Sequence, residues 1–245
     1  MNYFLSLILL SVTLFGQVNI EQYRTNQTDG KLEEKFYEYI NVSTSLKRST
    51  TSMYDIGLKY FKPILTGNYE GFLITKLNYG KNKGSVYVNN SFYHFRLIAL
   101  ESESAYGIPE IYLQYESNEY ALTKERYLAG VGLRYKFGDT ISGTSVMNEW
   151  YRENDSSSRN NFWRISQYIT FNFPINRYNK LSTTVYIQPS VADISNIRYY
   201  SESSFFSAIN KFTTFKSTLS TRFFSDSIDF DSIEVFFDSG LEFKL

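Results

Sequence analysis

The chain has 245 residues, 25 Lys plus Arg against 25 Asp plus Glu, and no cysteine. That balance excludes the basic field of a nucleic-acid binder, and the lack of Cys excludes a disulfide framework and thiol chemistry. Tyr (22) and Phe (21) are abundant and Pro (4) is scarce, a composition that favours strands over helices at a length suited to one large β-domain or two small ones.

Phe4 to Phe15 form an apolar run that ends at Gly16-Gln17, where the chain turns polar. The run is too short to span a bilayer as a stable helix. It predicts a secretory signal peptide over 1–16, although the n-region lacks Lys or Arg and Leu14 stands where a small residue is usual. The alternative is a buried strand or helix of the mature fold. Residues 17–35 are polar and charged, and predict a short helix or a loose periplasmic lead-in. No later run is long enough for a membrane helix, so a membrane location requires a closed barrel.

From Phe36 the sequence breaks into twelve alternating segments: 36–48, 53–62, 69–79, 86–100, 108–117, 126–137, 141–151, 161–173, 181–188, 199–209, 212–224 and 233–245. Most are long enough to cross a membrane as tilted strands. In the sixth, Tyr127, Ala129, Val131, Leu133, Tyr135 and Phe137 share one face, and Gly130, Gly132, Arg134 and Lys136 share the other, with Leu128 as the exception. A soluble barrel would turn the first face inward. A membrane barrel turns it to lipid, with aromatic residues at both interfaces. Tyr93, Phe95, Leu97 and Ala99 likewise oppose His94 and Arg96, with Ile98 out of pattern. Segments 53–62 and 141–151 alternate less cleanly.

Connections are tight at Gly138-Asp139-Thr140 and Asn210-Lys211, and longer and polar at 152–160, 189–198 and 225–232. Short periplasmic turns and longer external loops are the barrel pattern. The chain closes on Asp238-Ser239-Gly240-Leu241-Glu242-Phe243-Lys244-Leu245, with Leu241, Phe243 and Leu245 on one face. This resembles the C-terminal signal read by the barrel-assembly machinery of bacterial outer membranes, with Leu in place of the usual Phe. The expected fold is therefore all-β: one antiparallel transmembrane β-barrel of roughly twelve strands over 36–245.

Two stretches carry a family resemblance. Tyr112-Leu113-Gln114-Tyr115-Glu116-Ser117-Asn118 is answered by Arg126-Tyr127-Leu128-Ala129-Gly130-Val131-Gly132-Leu133-Arg134-Tyr135. Later, Tyr186-Ile187-Gln188-Pro189 precedes Asp193-Ile194-Ser195-Asn196-Ile197-Arg198. These resemble domain-of-unknown-function family 481, the YdiY-like salt-induced outer-membrane proteins, most clearly between Ile111 and Phe224. The resemblance implies an outer-membrane β-barrel and supplies no catalytic residues.

Chemistry is sparse. His94 is the one histidine; with a Ser and an acid it would make a membrane-embedded hydrolase, but nothing in the sequence marks a nucleophile, and the bland reading is a polar lumen residue. One His and no Cys leave no zinc or haem set, so no cofactor is expected. Asp226, Asp229 and Asp231 share one loop without EF-hand spacing, and read as solvated. The predicted lumen carries both signs: Arg96, Arg134, Lys136, Lys216 and Arg222 against Glu234, Asp238 and Glu242. Such charges either line a water-filled path or pair across it as a plug. The expectation is a barrel without catalysis: a narrow channel, a small-solute binder or a structural component of the envelope. Its partners would be outer-membrane lipid and the assembly machinery, with no nucleic acid. The alternatives are the His94 hydrolase and a soluble periplasmic lipid-binding barrel.

Overall fold

Successive side chains of a strand point to opposite faces, so a sheet of alternating segments gains two environments when it closes on itself. The computed structural model describes residues 27–28, 31–32, 38–48, 52–66, 69–82, 85–99, 107–118, 123–153, 158–224 and 234–245. The segment 1–16, read as a signal peptide, lies outside the described residues, as do Asp226, Asp229 and Asp231. Ahead of the barrel, β1 (Gln27–Thr28) pairs with β2 (Lys31–Leu32) as a minimal hairpin.

Twelve strands then close into an antiparallel barrel: β3 (Tyr39–Arg48), β4 (Ser52–Thr66), β5 (Tyr69–Asn82), β6 (Ser85–Ala99), β7 (Ile108–Asn118), β8 (Thr123–Phe137), β9 (Thr140–Glu153), β10 (Arg159–Pro174), β11 (Asn179–Pro189), β12 (Ile197–Asn210), β13 (Thr213–Phe224) and β14 (Glu234–Lys244). Each pairs with its sequence neighbour, and β14 returns to β3 from Gly240↔Ser43 to Lys244↔Tyr39. Both ends of the barrel chain thus lie at one rim, the terminal rim, where the Leu245 amide donates to the Glu38 carbonyl at 3.0 Å.

The alternation sorts as the sequence predicts. On β8, Val131 and Phe137 are 62% and 65% exposed on the outside, while Arg126, Leu128 and Arg134 are buried in the lumen. Outward aromatic residues gather at two heights. Toward the far rim Tyr93, Tyr115, Tyr127 and Trp150 are successive cross-strand partners on β6 to β9, with ring centroids 6.1 Å apart for the first pair and 4.8 Å for the second. Toward the terminal rim Tyr135 stacks with Phe137, and Phe171 with Phe173. Two such girdles bracket the apolar band of a membrane barrel.

Strand ends place the connections. At the terminal rim 67–68, 138–139, 175–178 and 211–212 are short, and 100–107 is the exception; at the far rim 154–158, 190–196 and 225–233 are the long ones. This follows the predicted asymmetry in part: 100–107 is long at the terminal rim, and 49–51 and 83–84 are short at the far rim.

An outward apolar face fixes an expected outcome. Val131→Arg, halfway along β8, should cost about 2–4 kcal/mol of barrel stability in lipid vesicles, read by urea titration of the heat-shifted band. A cost near zero would mean that this face meets water.

Candidate functional site

The site is the lumen, and side chains fill it. Five rings follow one another along its wall from β3 to β7: Tyr39–Phe61 (centroids 5.1 Å), Phe61–Phe72 (5.8 Å), Phe72–His94 (5.9 Å) and His94–Tyr112 (6.3 Å). The Arg96 guanidinium continues the series, 5.3 Å from the Tyr112 ring and 5.6 Å from that of Tyr168. Tyr168, Tyr186 and Tyr200 carry it on to β12. Because β6 and β10 are not neighbours in the sheet, Arg96 reaches across the lumen. So does Tyr168, whose hydroxyl donates to Glu110 on β7 at 3.3 and 3.4 Å. Arg96 Nη1 stands 3.6 Å from the same carboxylate, with both side chains fully buried.

Two rings lie flat over backbone that only glycine leaves bare. Gly130 pairs with Tyr112 and Gly143 with Tyr168. A Cβ on Gly130 would stand 2.3 Å from Tyr112 Cζ, and one on Gly143 2.2 Å from Tyr168 Cε1.

Toward the far rim Glu149 is the hub. Its side chain is fully buried and accepts from Arg126 Nε at 2.5 Å, from Arg164 Nε at 2.6 Å and from Arg198 Nη1. Arg126 also faces Glu116 at 3.8 Å. Arg164 reaches the 190–196 loop, donating to the Gln188 and Asn196 carbonyls at 3.1 Å each and to Asn196 Oδ1 at 2.7 Å. That loop is set by Asp193, which accepts from the Ser195 hydroxyl at 2.6 Å and its amide at 3.0 Å. These bonds hold the Asp193 carboxyl below its ordinary value, so this turn's contribution is present above the ordinary carboxylate range and lost as pH falls through the lowered one.

A second charged group lies on the β4–β5 and β12–β14 side. Lys59 and Lys76 sit over the Tyr39 and Phe92 rings at 5.8 and 5.2 Å. Lys216 stands 3.9 Å from Glu242 and 5.2 Å from the Phe206 ring. Glu202 accepts from the Tyr200 hydroxyl at 2.6 Å and is an electrostatic neighbour of all three lysines. Around Glu149 three cations meet two carboxylates, whereas here Lys59, Lys76 and Lys216 meet Glu202, Glu242 and Asp238.

Of the residues picked from sequence, His94, Arg96, Arg134, Lys216 and Glu242 are buried in the lumen. Lys136 and Asp238 lie on the same alternation but are exposed. Arg222 and Glu234 are cross-strand partners, and their side chains lie outside the described residues. Leu241, Phe243 and Leu245 are exposed on the outside. Neither ring nitrogen of His94 bonds a hydroxyl among the described residues. Its neighbours are aromatic, and its cross-strand partner on β7 is Gln114. Ile98 and Leu128, out of pattern in sequence, are lumen residues packed into apolar clusters. Sequence reasoning missed Glu149 and Arg164. The signal available was in the later motifs, since Glu116, Arg126, Gln188 and Arg198 all converge on this hub.

No family model matches the chain, and no curated protein does. Solved structures do. A NanC porin structure is 15% identical and covers 85% of this chain and 100% of its own, with a TM-score of 0.51. A KdgM porin structure is 7% identical, with 85% and 99% coverage and a TM-score of 0.51. These likenesses show the fold, a porin-type β-barrel.

Two outcomes follow from the packing. Gly130→Ala should destabilise the barrel by about 1–3 kcal/mol by driving a methyl into the Tyr112 ring, and Tyr112→Leu should relieve much of that loss in a double-mutant cycle; additive costs would mean that the ring is not seated on Gly130. Glu149→Gln should cost about 3–5 kcal/mol, because the three guanidinia lose the carboxylate they share while remaining buried. A loss under about 1 kcal/mol, the range of exposed pairs, would show the hub to be solvated.

Proposed function

We propose that this chain is an outer-membrane β-barrel that performs no catalysis and forms a narrow, normally occluded path for small anions. One observation carries the reading: inside a porin-type barrel, His94, Arg96, Glu149 and Arg164 are all 0% exposed. A lumen open to water would leave such groups wetted. Here non-neighbouring strands touch across it through Arg96–Tyr168 and Arg198–Glu149. Charge supports the preferred sign at the far mouth, where Arg126, Arg164 and Arg198 meet Glu149 and Glu116. The polar lumen and apolar exterior are the reverse of a soluble lipid-binding barrel, which needs an apolar interior. Among the described residues no hydroxyl bonds His94 to serve a hydrolase as nucleophile.

Membership of the YdiY-like family is part of the proposal. Its support is that the quoted motifs form adjacent strands, with Glu116↔Arg126 and Gln188↔Arg198 as cross-strand pairs. Cleavage of 1–16, export and assembly through Leu241, Phe243 and Leu245 belong to it as well.

Planar-bilayer recording of the purified protein tests the reading. The expected trace is closed for most of the time, with small steps whose reversal potential in a salt gradient favours anions. Large steady conductance would sink the occluded lumen, and cation preference would sink the assigned sign. Silence at every voltage would leave a structural role in the envelope.

A further inference from the structure

The barrel wall also carries a recess. It lies at the far-rim ends of β8, β9 and β10, has a volume of about 360 Å³, and is lined by Glu125, Tyr127, Trp150, Tyr151, Arg152 and Arg159. Tyr127 and Trp150 belong to the outward aromatic girdle. Directly above them come Glu125↔Arg152 and Arg152↔Arg159 as cross-strand partners. Two arginines opposite one another on neighbouring strands repel. Glu125 answers only one of them, accepting from Arg152 Nη2 at 2.9 Å. Arg152 Nε is buried without a hydrogen-bond partner. Arg159 is exposed and faces no carboxylate among the described residues.

We propose that this recess binds the phosphate of an anionic lipid in the leaflet at the far rim, held between Arg152 and Arg159 with its chains running down the barrel wall. Guanidinium groups match phosphate oxygens in a planar, bidentate fashion, and a phosphate here relieves the arginine pair. A lipid fits better than a free phosphate because of what lies below. Val131, Val146 and Trp163, 62%, 46% and 57% exposed, make an apolar strip beneath the recess. In the polar pair between, Asn148 Nδ2 donates to Asn161 Oδ1 at 2.8 Å and to the Phe162 carbonyl at 3.4 Å. Aromatic residues at that height mark the headgroup boundary.

The inference rests on the membrane reading above, and one experiment separates the two. The protein is purified in detergent, checked for its heat-dependent gel shift, and examined by native mass spectrometry with diphosphoryl lipid A and with its dephosphorylated form. Retention of the phosphorylated form should exceed that of the other. The double variant R152Q/R159Q should reduce it about twenty-fold, with the heat shift intact. Should the double variant misfold, Arg159→Gln alone, outside the Glu125 pair, should reduce it about five-fold. The control pair Arg177→Gln and Lys211→Gln removes exposed cations beside Tyr178 and Phe212 at the terminal rim, and should leave retention unchanged. Equal retention of both lipids, unchanged retention in the variants, or an equal loss in the control overturns the site. A wild-type protein with no heat shift overturns the membrane reading instead.

Discussion

In hydrocarbon an unpaired backbone N–H or C=O costs several kcal/mol, so a strand crossing a membrane needs a partner on each side. Everything else in this molecule follows from that need. It makes closure obligatory, and closure makes a lumen whose polar side chains must satisfy one another. It also explains why the ladder between β14 and β3 matters. That seam joins the first and last strands of the barrel and spans five residue pairs among the described residues, whereas β9 and β10 share thirteen. It sits at the terminal rim, where the Leu245 amide also bonds the Glu38 carbonyl.

Given closure, this barrel could have kept an aqueous core or filled it. It is filled, and the filling has two chemistries. Rings and the Arg96 guanidinium make one continuous series from Tyr39 round to Tyr200, seated where Gly130 and Gly143 let Tyr112 and Tyr168 lie close to the backbone. Carboxylates shared among cations make the other. The two interlock at Glu110, which stands by Arg96 and accepts from Tyr168. Packing inside the lumen is therefore a set of cross-lumen contacts.

Strand count, direction and the outward residues were legible in sequence because lipid imposes a uniform demand: from Tyr127 to Phe137 every outward position of β8 is apolar or aromatic. The lumen imposes no such uniformity. A filled lumen accepts Ile98, Leu128 and Met147 as readily as Arg96, and so β9 looks irregular. Its inward face runs Ile141, Gly143, Ser145, Met147, Glu149 and Tyr151, a mixture that alternation cannot separate from its outward Val146 and Trp150. Glu149 was hidden for that reason. Its partners come from β8, β10 and β12, and only closure brings them together. The glycines of β8 were read as lumen-facing, which is right, but their purpose becomes visible only with what covers them, Tyr112 over Gly130 and Ser145 against Gly132.

The buried charges argue about function as well as packing. Replacing a buried ion cluster by apolar side chains of similar volume is often neutral or stabilising. A barrel needed only as a wall or an anchor could fill its lumen with more residues like Phe61, Phe72 and Ile74, which already pack one side of it. Instead, the far-rim half carries Arg126, Arg164 and Arg198 around Glu149, with Arg164 extended to the 190–196 loop at the mouth. Ionic contacts differ from apolar ones in that an entering anion can replace the carboxylate partner of a guanidinium, whereas nothing small and charged can replace a ring in an apolar stack. The placement of the replaceable contacts at the far mouth, with the aromatic series below them, favours a solute path over a purely structural filling.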